Sequence, residues 1–412
     1  MKQPTLSLFP RRDPADLGFD VGRLARVNEV VQRALDANQC AGAVVGIVRD
    51  GALVWLSTHG ARDLSIEAPM MEDTLFRIYS MSKPITSTAV MMLFEEAALR
   101  LTDPLSRFLP DFGQMEVYVA GDEPPFRTEP ATREITIRDL LTHTGGLGYG
   151  IGDPHPVEEQ LTREVWDTVD RNPEVTLLEA ASAIASCPLV HQPGTHWRYS
   201  VATDLLGAVV EVVSGQSLDA FLKERIFDPL GMTDTFFTVP EERRERLAVC
   251  YTPGENGLDP APDTPRMGFT RPTRHPSGGG GLVSTAGDYL AFMQMLLSKG
   301  RATVRTGKPG DRLLGARTVT MMMTDHLPPG VGGWEDRPGY GFGYGGRIVT
   351  DATQLSPYGS QGQFAWGGAA STIFFVDPAE RLAVVVLQQV VPGFVYLLTE
   401  DIGTAVYQAI VD

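Results

Sequence analysis

Ser80-Met81-Ser82-Lys83 stands directly before an apolar run from Ile85 to Leu99. Reading Met81 to Leu99 as a helix puts Ser80 at its start and Lys83 one turn on, on the same face. An amine held there accepts a hydroxyl proton, provided desolvation or nearby positive charge favours its neutral form. The helix N-terminus also favours negative charge developing at an attacked carbonyl. Arginine cannot take this role, because a guanidinium does not lose its proton in proteins. The bland alternative is an N-cap serine followed by a surface lysine. Against it, the chain has five lysines (Lys2, Lys83, Lys223, Lys299, Lys308) among 35 Lys+Arg, and only Lys83 has a serine three residues before it.

Two further stretches fit the same chemistry. Tyr199-Ser200 follows the loop His191 to Arg198 and precedes a helical run from Thr203. A phenol beside an amine can relay a proton to a leaving alcohol; its structural alternative is a tyrosine packed at a helix start. Trp366-Gly367-Gly368-Ala369 lies on a strand-like run near the C-terminus. Paired glycines let a backbone edge approach a ligand, and the N–H groups that follow can stabilise an oxyanion. The alternative there is a glycine-weakened strand with a core tryptophan.

Outward from these motifs, the two ends of the chain share one texture and the middle has another. Ala41 to Val48, Arg49-Asp50-Gly51 and Ala52 to Leu56 read as a β-hairpin with an Asp-Gly turn. Gln363 to Val376 and Leu382 to Val391 read as strands, and Val395 to Val411 as a closing helix. An amphipathic helix is expected over Val21 to Asn38. Helical periodicity marks Ile137 to Leu141, Leu177 to Ser186, Thr203 to Val213 and Leu218 to Phe227. The expected fold is therefore α/β (α+β). An antiparallel sheet domain flanked by helices (1–75 and 265–412) carries an inserted, mostly helical domain (76–264), with the site in the cleft between them. Two long loops, Tyr251 to Pro276 with six prolines including Pro265, and the glycine-rich Pro328 to Gly346, are expected to wall that cleft.

Composition narrows the classes of function. With 412 residues, 43% hydrophobic and 21% charged, the chain can bury a large core. Its formal net charge of −16 opposes nucleic acid and anionic membrane surfaces. Cys40, Cys187 and Cys250 form no C-x-x-C pair, so they read as buried free thiols in a reducing compartment. The N-terminal stretch Met1 to Pro10 has no apolar segment of signal-peptide length, and no run reaches the roughly 18 residues of a spanning helix. Cytoplasmic location is expected. His191 and His196 flank a Pro-Gly loop without metal-ligand spacing, so no metal is expected. Ser277 to Gly281 lacks the ending of a phosphate loop, and no G-x-S-x-G elbow is present. His143 reads as a hydrogen-bonded structural histidine.

The order S-x-x-K, Tyr-Ser-x, Trp-Gly-Gly resembles the motif series of the serine β-lactamase and penicillin-binding-protein superfamily. More closely, the chain resembles its class C β-lactamase-like esterases, the family VIII carboxylesterases. The likeness extends through Leu140-Leu141-Thr142-His143-Thr144-Gly145-Gly146-Leu147, Pro229-Leu230-Gly231-Met232-Thr233-Asp234-Thr235 and Gly279-Gly280-Gly281-Leu282-Val283-Ser284-Thr285. It implies that Ser80 attacks an acyl carbon and that Lys83 and Tyr199 share the base and acid work. It further implies that the backbone N–H groups of Ser80 and Ala369 hold the oxyanion, with no cofactor. Trp366, Gly367, Gly368 and Val201 would border the substrate. Where β-lactamases carry asparagine in the second motif and a cation at the start of the third, this chain has Val201 and Trp366. Losing an amide and a cation weakens recognition of an acylamino side chain and a carboxylate. A small uncharged ester, cleaved by a carboxylesterase of undetermined oligomeric state, is the expected substrate. Acyl transfer, β-lactamase or D-aminopeptidase-type activity, and an idle binding or sensor homologue stand as rivals.

Overall fold

Asp50 and Gly51 both adopt left-handed backbone (φ 51° and 77°), the geometry of a tight two-residue hairpin turn. They join β1 (Gly42–Arg49) to β2 (Ala52–Asp63) in antiparallel register, Arg49 opposite Ala52. The computed structural model describes residues 5–150, 155–255, 257–262, 269–302, 312–333, 337–355 and 359–411. The expected domain break at 264–265, Pro265, Lys2, Lys308, the first four residues and parts of both long loops lie outside the described residues.

The hairpin continues through β3 (Ala68–Pro69) on one side. On the other it meets strands from the far end of the chain: β4 (Tyr340–Phe342), β5 (Arg347–Val349), β6 (Phe364–Gly368), β7 (Thr372–Asp377) and β8 (Leu382–Leu387). The order is β4-β5-β6-β7-β8-β1-β2-β3, and every neighbouring pair is antiparallel. Val45 pairs with Val386, so the two ends of the chain do build one sheet. Every residue of β1 and β8 is buried because both faces are covered.

The period of two sorts the side chains between those faces. Val45, Ile47, Val384 and Val386 pack under α1 (Arg26–Asp36) and the C-terminal helix Leu398–Tyr407. Val44, Val48, Val385, Leu387 and Trp366 face the other side, against α2 (Ser82–Glu95), α3 (Ala202–Ser214) and α4 (Ala286–Leu297). Helix α4 approaches closely at Gly46: a Cβ there would lie 2.8 Å from Leu290 Cδ1 and displace that side chain. Trp366 and Gly368, two residues apart on β6, therefore point towards the helices.

Several elements depart from the sequence reading. Gln363 to Val376 is two strands, because Ser371 turns through a left-handed conformation (φ 60°) after Gly368. The N-terminal helix breaks at Ala25 into Val21–Leu24 and Arg26–Asp36. The closing helix begins at Leu398, beyond a segment in which Phe394 is also left-handed (φ 62°). Leu218–Leu222 is continued by a wider π-type turn, Lys223–Phe227. Among the described residues, no single helix is long and apolar enough to cross a membrane.

Candidate active site

A short two-strand ribbon sets up the site. Phe76–Arg77 pairs with Val283–Ser284, and the Ile78 N–H bonds the Leu282 carbonyl at 3.0 Å. That pairing lays the glycine loop Ser277–Gly281 beside the turn carrying Ser80. Tyr79 takes a left-handed backbone (φ 42°), uncommon for a bulky residue and costly by about 1–3 kcal/mol. The chain then makes a 3₁₀ turn, Tyr79–Met81, before α2 begins at Ser82. Ser80 is left half-buried at the mouth of the helix.

Lys83 is wholly buried (0% exposed), which rules out a surface lysine. Its Nζ donates to Ser80 Oγ at 3.2 Å and to the Gly279 carbonyl at 2.7 Å. It also stands over the rings of Tyr199 and Tyr149, 4.6 and 5.1 Å from their centroids. Among the described residues, no carboxylate forms a direct ion pair with it.

Tyr199 arrives from the other side. Val201 N–H bonds Gly148 O at 3.1 Å and Arg198 N–H bonds His143 O at 2.9 Å, pinning the loop before α3 to the segment around Gly148. The Tyr199 hydroxyl donates to Ser80 Oγ at 2.6 Å. Its ring stacks on Tyr149 (5.1 Å, 7°) and tilts against Trp366 (5.4 Å). Beneath it His143 shares a hydrogen bond with Ser200 Oγ at 2.9 Å. Burial, and then the charge of Lys83, holds the His143 imidazole neutral, well below its usual pKa. His143 is thus a hydrogen-bonded structural residue.

The β6 edge closes the third side. A Cβ on Gly368 would lie 2.3 Å from the Ile78 carbonyl, so only glycine lets this strand reach the turn that presents Ser80. Trp366 is nearly buried (7% exposed) and meets Phe342 edge-on at 5.2 Å. Ala369, at the strand's end, is exposed. Ser80, Lys83, Tyr199 and Trp366 are thus brought together, with Gly367, Gly368 and Ala369 alongside. Val201 is the exception. It is fully buried in the core at the head of α3, so it offers a ligand no surface.

The sequence reading missed Tyr149 and gave no role to the Gly279 carbonyl. Both adjoin glycine-rich segments already singled out, Gly145–Gly148 and Gly278–Gly281, and that was the available signal. Chemically, the arrangement offers one hydroxyl with two proton carriers in hydrogen-bond reach, within a wall of aromatic rings.

The family described as beta-lactamase matches residues 27–402. Esterase EstB of Burkholderia gladioli is 34% identical, over 91% of this chain and 93% of its own length. The lovastatin esterase of Penicillium rubens is 29% identical, over 88% and 92%. Among solved structures, EstCE1, described as a hydrolase with promiscuous acyltransferase activity, superposes with a TM-score of 0.79 at 30% identity, covering 94% of this chain and 99% of that one.

Proposed function

Since this chain belongs to the beta-lactamase family and is a serine hydrolase of its family VIII esterase branch, we propose that it cleaves short-chain carboxylic esters through an acyl-enzyme on Ser80. The observation that carries this reading is the pair of contacts to Ser80 Oγ, 2.6 Å from Tyr199 and 3.2 Å from Lys83. The pair acts as the base with one of its two groups deprotonated, and that group takes the Oγ–H proton as Oγ bonds the acyl carbon. The resulting oxyanion is held by the N–H groups of Ser80 and Ala369, and collapse expels the alcohol, protonated by the same pair. Water repeats the cycle on the acyl-enzyme and releases the acid and free Ser80. Trp366, Gly367 and Gly368 border the acyl group. Residence in the cytoplasm is part of the proposal, supported by three buried free thiols.

Acyl transfer to an alcohol is a second reading. The aromatic wall of Tyr149, Trp197, Phe342 and Trp366 favours it by disfavouring water near Tyr199. So does the acyltransferase activity named for EstCE1.

A series of p-nitrophenyl esters of increasing chain length, assayed with and without added alcohols, tests both readings. Short chains turned over fastest, with activity lost in Ser80→Ala by about a thousandfold or more, is the expected result. Undiminished activity in Ser80→Ala overturns the proposal. Product partitioning towards the added alcohol at the expense of free acid selects the second reading.

A further inference from the structure

Asp204 lies in the first turn of α3, five residues after Tyr199, and is 1% exposed. A buried carboxylate is expensive unless it is hydrogen-bonded or faces positive charge. Its Oδ1 accepts from the Ser277 hydroxyl at 2.6 Å and from the Gly279 N–H at 3.2 Å. Oδ2 has no hydrogen-bond partner among the described residues and faces the same glycine, 2.6 Å from where a Cβ on Gly279 would be. Gly279 in turn presents its carbonyl to Lys83 Nζ at 2.7 Å. One glycine is therefore strung between two buried polar side chains, its N–H to Asp204 and its C=O to Lys83. Thr86, on α2 with Lys83, donates to the adjacent Gly278 carbonyl at 2.8 Å and fixes the loop from the other helix. The loop has no slack, as a Cβ on Gly278 would stand 2.7 Å from the Thr203 carbonyl.

We infer that Asp204 is a positioning residue for the reaction of Ser80: by gripping Gly279 it fixes the carbonyl that holds Lys83 Nζ within reach of Ser80 Oγ. This inference rests on the proposed acyl-enzyme chemistry. It follows from the placement of the carboxylate on the helix that starts just after Tyr199, so both proton carriers are referenced to one rigid element. Among the described residues, the side chains bonded to Ser80 Oγ are Lys83 and Tyr199, and Asp204 acts only through Gly279.

The test compares Asp204→Asn, Asp204→Ala and Ser277→Ala with wild type, using p-nitrophenyl butyrate turnover and the rate at which a fluorophosphonate labels Ser80. Asp204→Asn keeps the shape and one acceptor, whereas Ser277→Ala removes one donor and leaves the carboxylate in place, so it reports even where an Asp204 variant folds poorly. The expected result is a fall in kcat of about tenfold for Asp204→Asn and more for Asp204→Ala, with a smaller loss in Ser277→Ala. KM should stay within about twofold, and labelling should slow in parallel. In a Lys83→Met background, Asp204→Ala should cost little more, because the two act as a unit. Folded Asp204 variants with wild-type kcat, losses confined to KM, or losses that add fully to those of Lys83→Met overturn the inference, provided that Ser80→Ala is inactive. Activity persisting in Ser80→Ala instead overturns the acyl-enzyme reading, and this inference falls with it.

Discussion

The Tyr199 hydroxyl lies 2.6 Å from Ser80 Oγ although 119 residues separate the two in sequence. The contact is enforced from both sides: the strained Tyr79 turn pushes Ser80 outward, and the stack of Tyr149 on Tyr199 fixes the phenol ring. Tyr199→Phe removes the hydroxyl and leaves the stacked ring in place. The expected loss in kcat is about 10²–10⁴-fold, the range for a positioned acid or base, with KM little changed. Steady-state kinetics on p-nitrophenyl butyrate measures it, and a loss confined to KM would remove Tyr199 from proton transfer.

Lys83 is enclosed on every side, so its substitution separates charge from proton transfer. Lys83→Arg retains the charge but cannot cycle a proton. Lys83→Met retains most of the stem and removes the amine. Both should lose at least about a hundredfold in kcat. Circular dichroism and the thermal midpoint check that each variant is folded. An active, folded Lys83→Arg would recast the lysine as electrostatic support and leave Tyr199 as the base.

The pair Ser80–Lys83 was legible in the sequence because it depends on one turn of local chain, and Tyr199 and Trp366 because they keep the family's motif order. The Asp50-Gly51 hairpin was legible for the same local reason. Contacts made by loop closure were not. The bond from Lys83 to Gly279 spans 196 residues and ends on a backbone carbonyl, which no residue type advertises. The turn at Ala369–Ser371 carries neither proline nor an Asn-Gly pair, so β6 and β7 read as one strand. Val201 sits where the motif predicts but points into the core, since the first turn of α3 is buried on all sides. Motif position alone could not tell a lining residue from a supporting one.

Asp288, on α4, gives the fold a pH dependence remote from the chemistry. It is fully buried, and desolvation raises its pKa to about 7, despite donors from Thr5, the Asp234 N–H and Thr235. The unfolded chain ionises near the ordinary aspartate value, about 3.9. Between those values the folded state holds a proton that the unfolded state has lost. This group's contribution is therefore fully present below about pH 4 and is lost as pH rises through about 7. Its slope approaches at most about 1.4 kcal/mol per pH unit. Urea denaturation of wild type and Asp288→Asn at pH 5, 6, 7 and 8 measures the difference. The wild type should lose stability relative to Asp288→Asn as pH rises over this range. A pH-independent difference between the two would refute the assignment.

On the proposed ester chemistry, Trp366 is expected to set which carbonyl compounds suit the site. Its ring lies between Tyr199 and Phe342, at 5.4 and 5.2 Å, on the face of β6 that looks towards Ser80. An indole offers an apolar wall and one N–H, whereas a lysine offers a cation for a substrate carboxylate. The wild-type protein should therefore favour short neutral esters over penicillins and cephalosporins by a wide margin in kcat/KM. A charge-assisted hydrogen bond to one carboxylate is worth about 1.5–3 kcal/mol, or roughly ten- to a hundredfold. Trp366→Lys should raise the ratio of lactam to ester turnover by up to that factor, and no further. It supplies the cation but not the amide that β-lactamases carry where this chain has Val201. It also removes the ring that packs on Tyr199, so absolute ester turnover should fall. The comparison is kcat/KM for nitrocefin and p-nitrophenyl butyrate in both proteins, side by side. A wild-type preference for nitrocefin would replace the esterase reading with a β-lactamase one. An unchanged ratio in Trp366→Lys would show that position 366 does not read the substrate's charge.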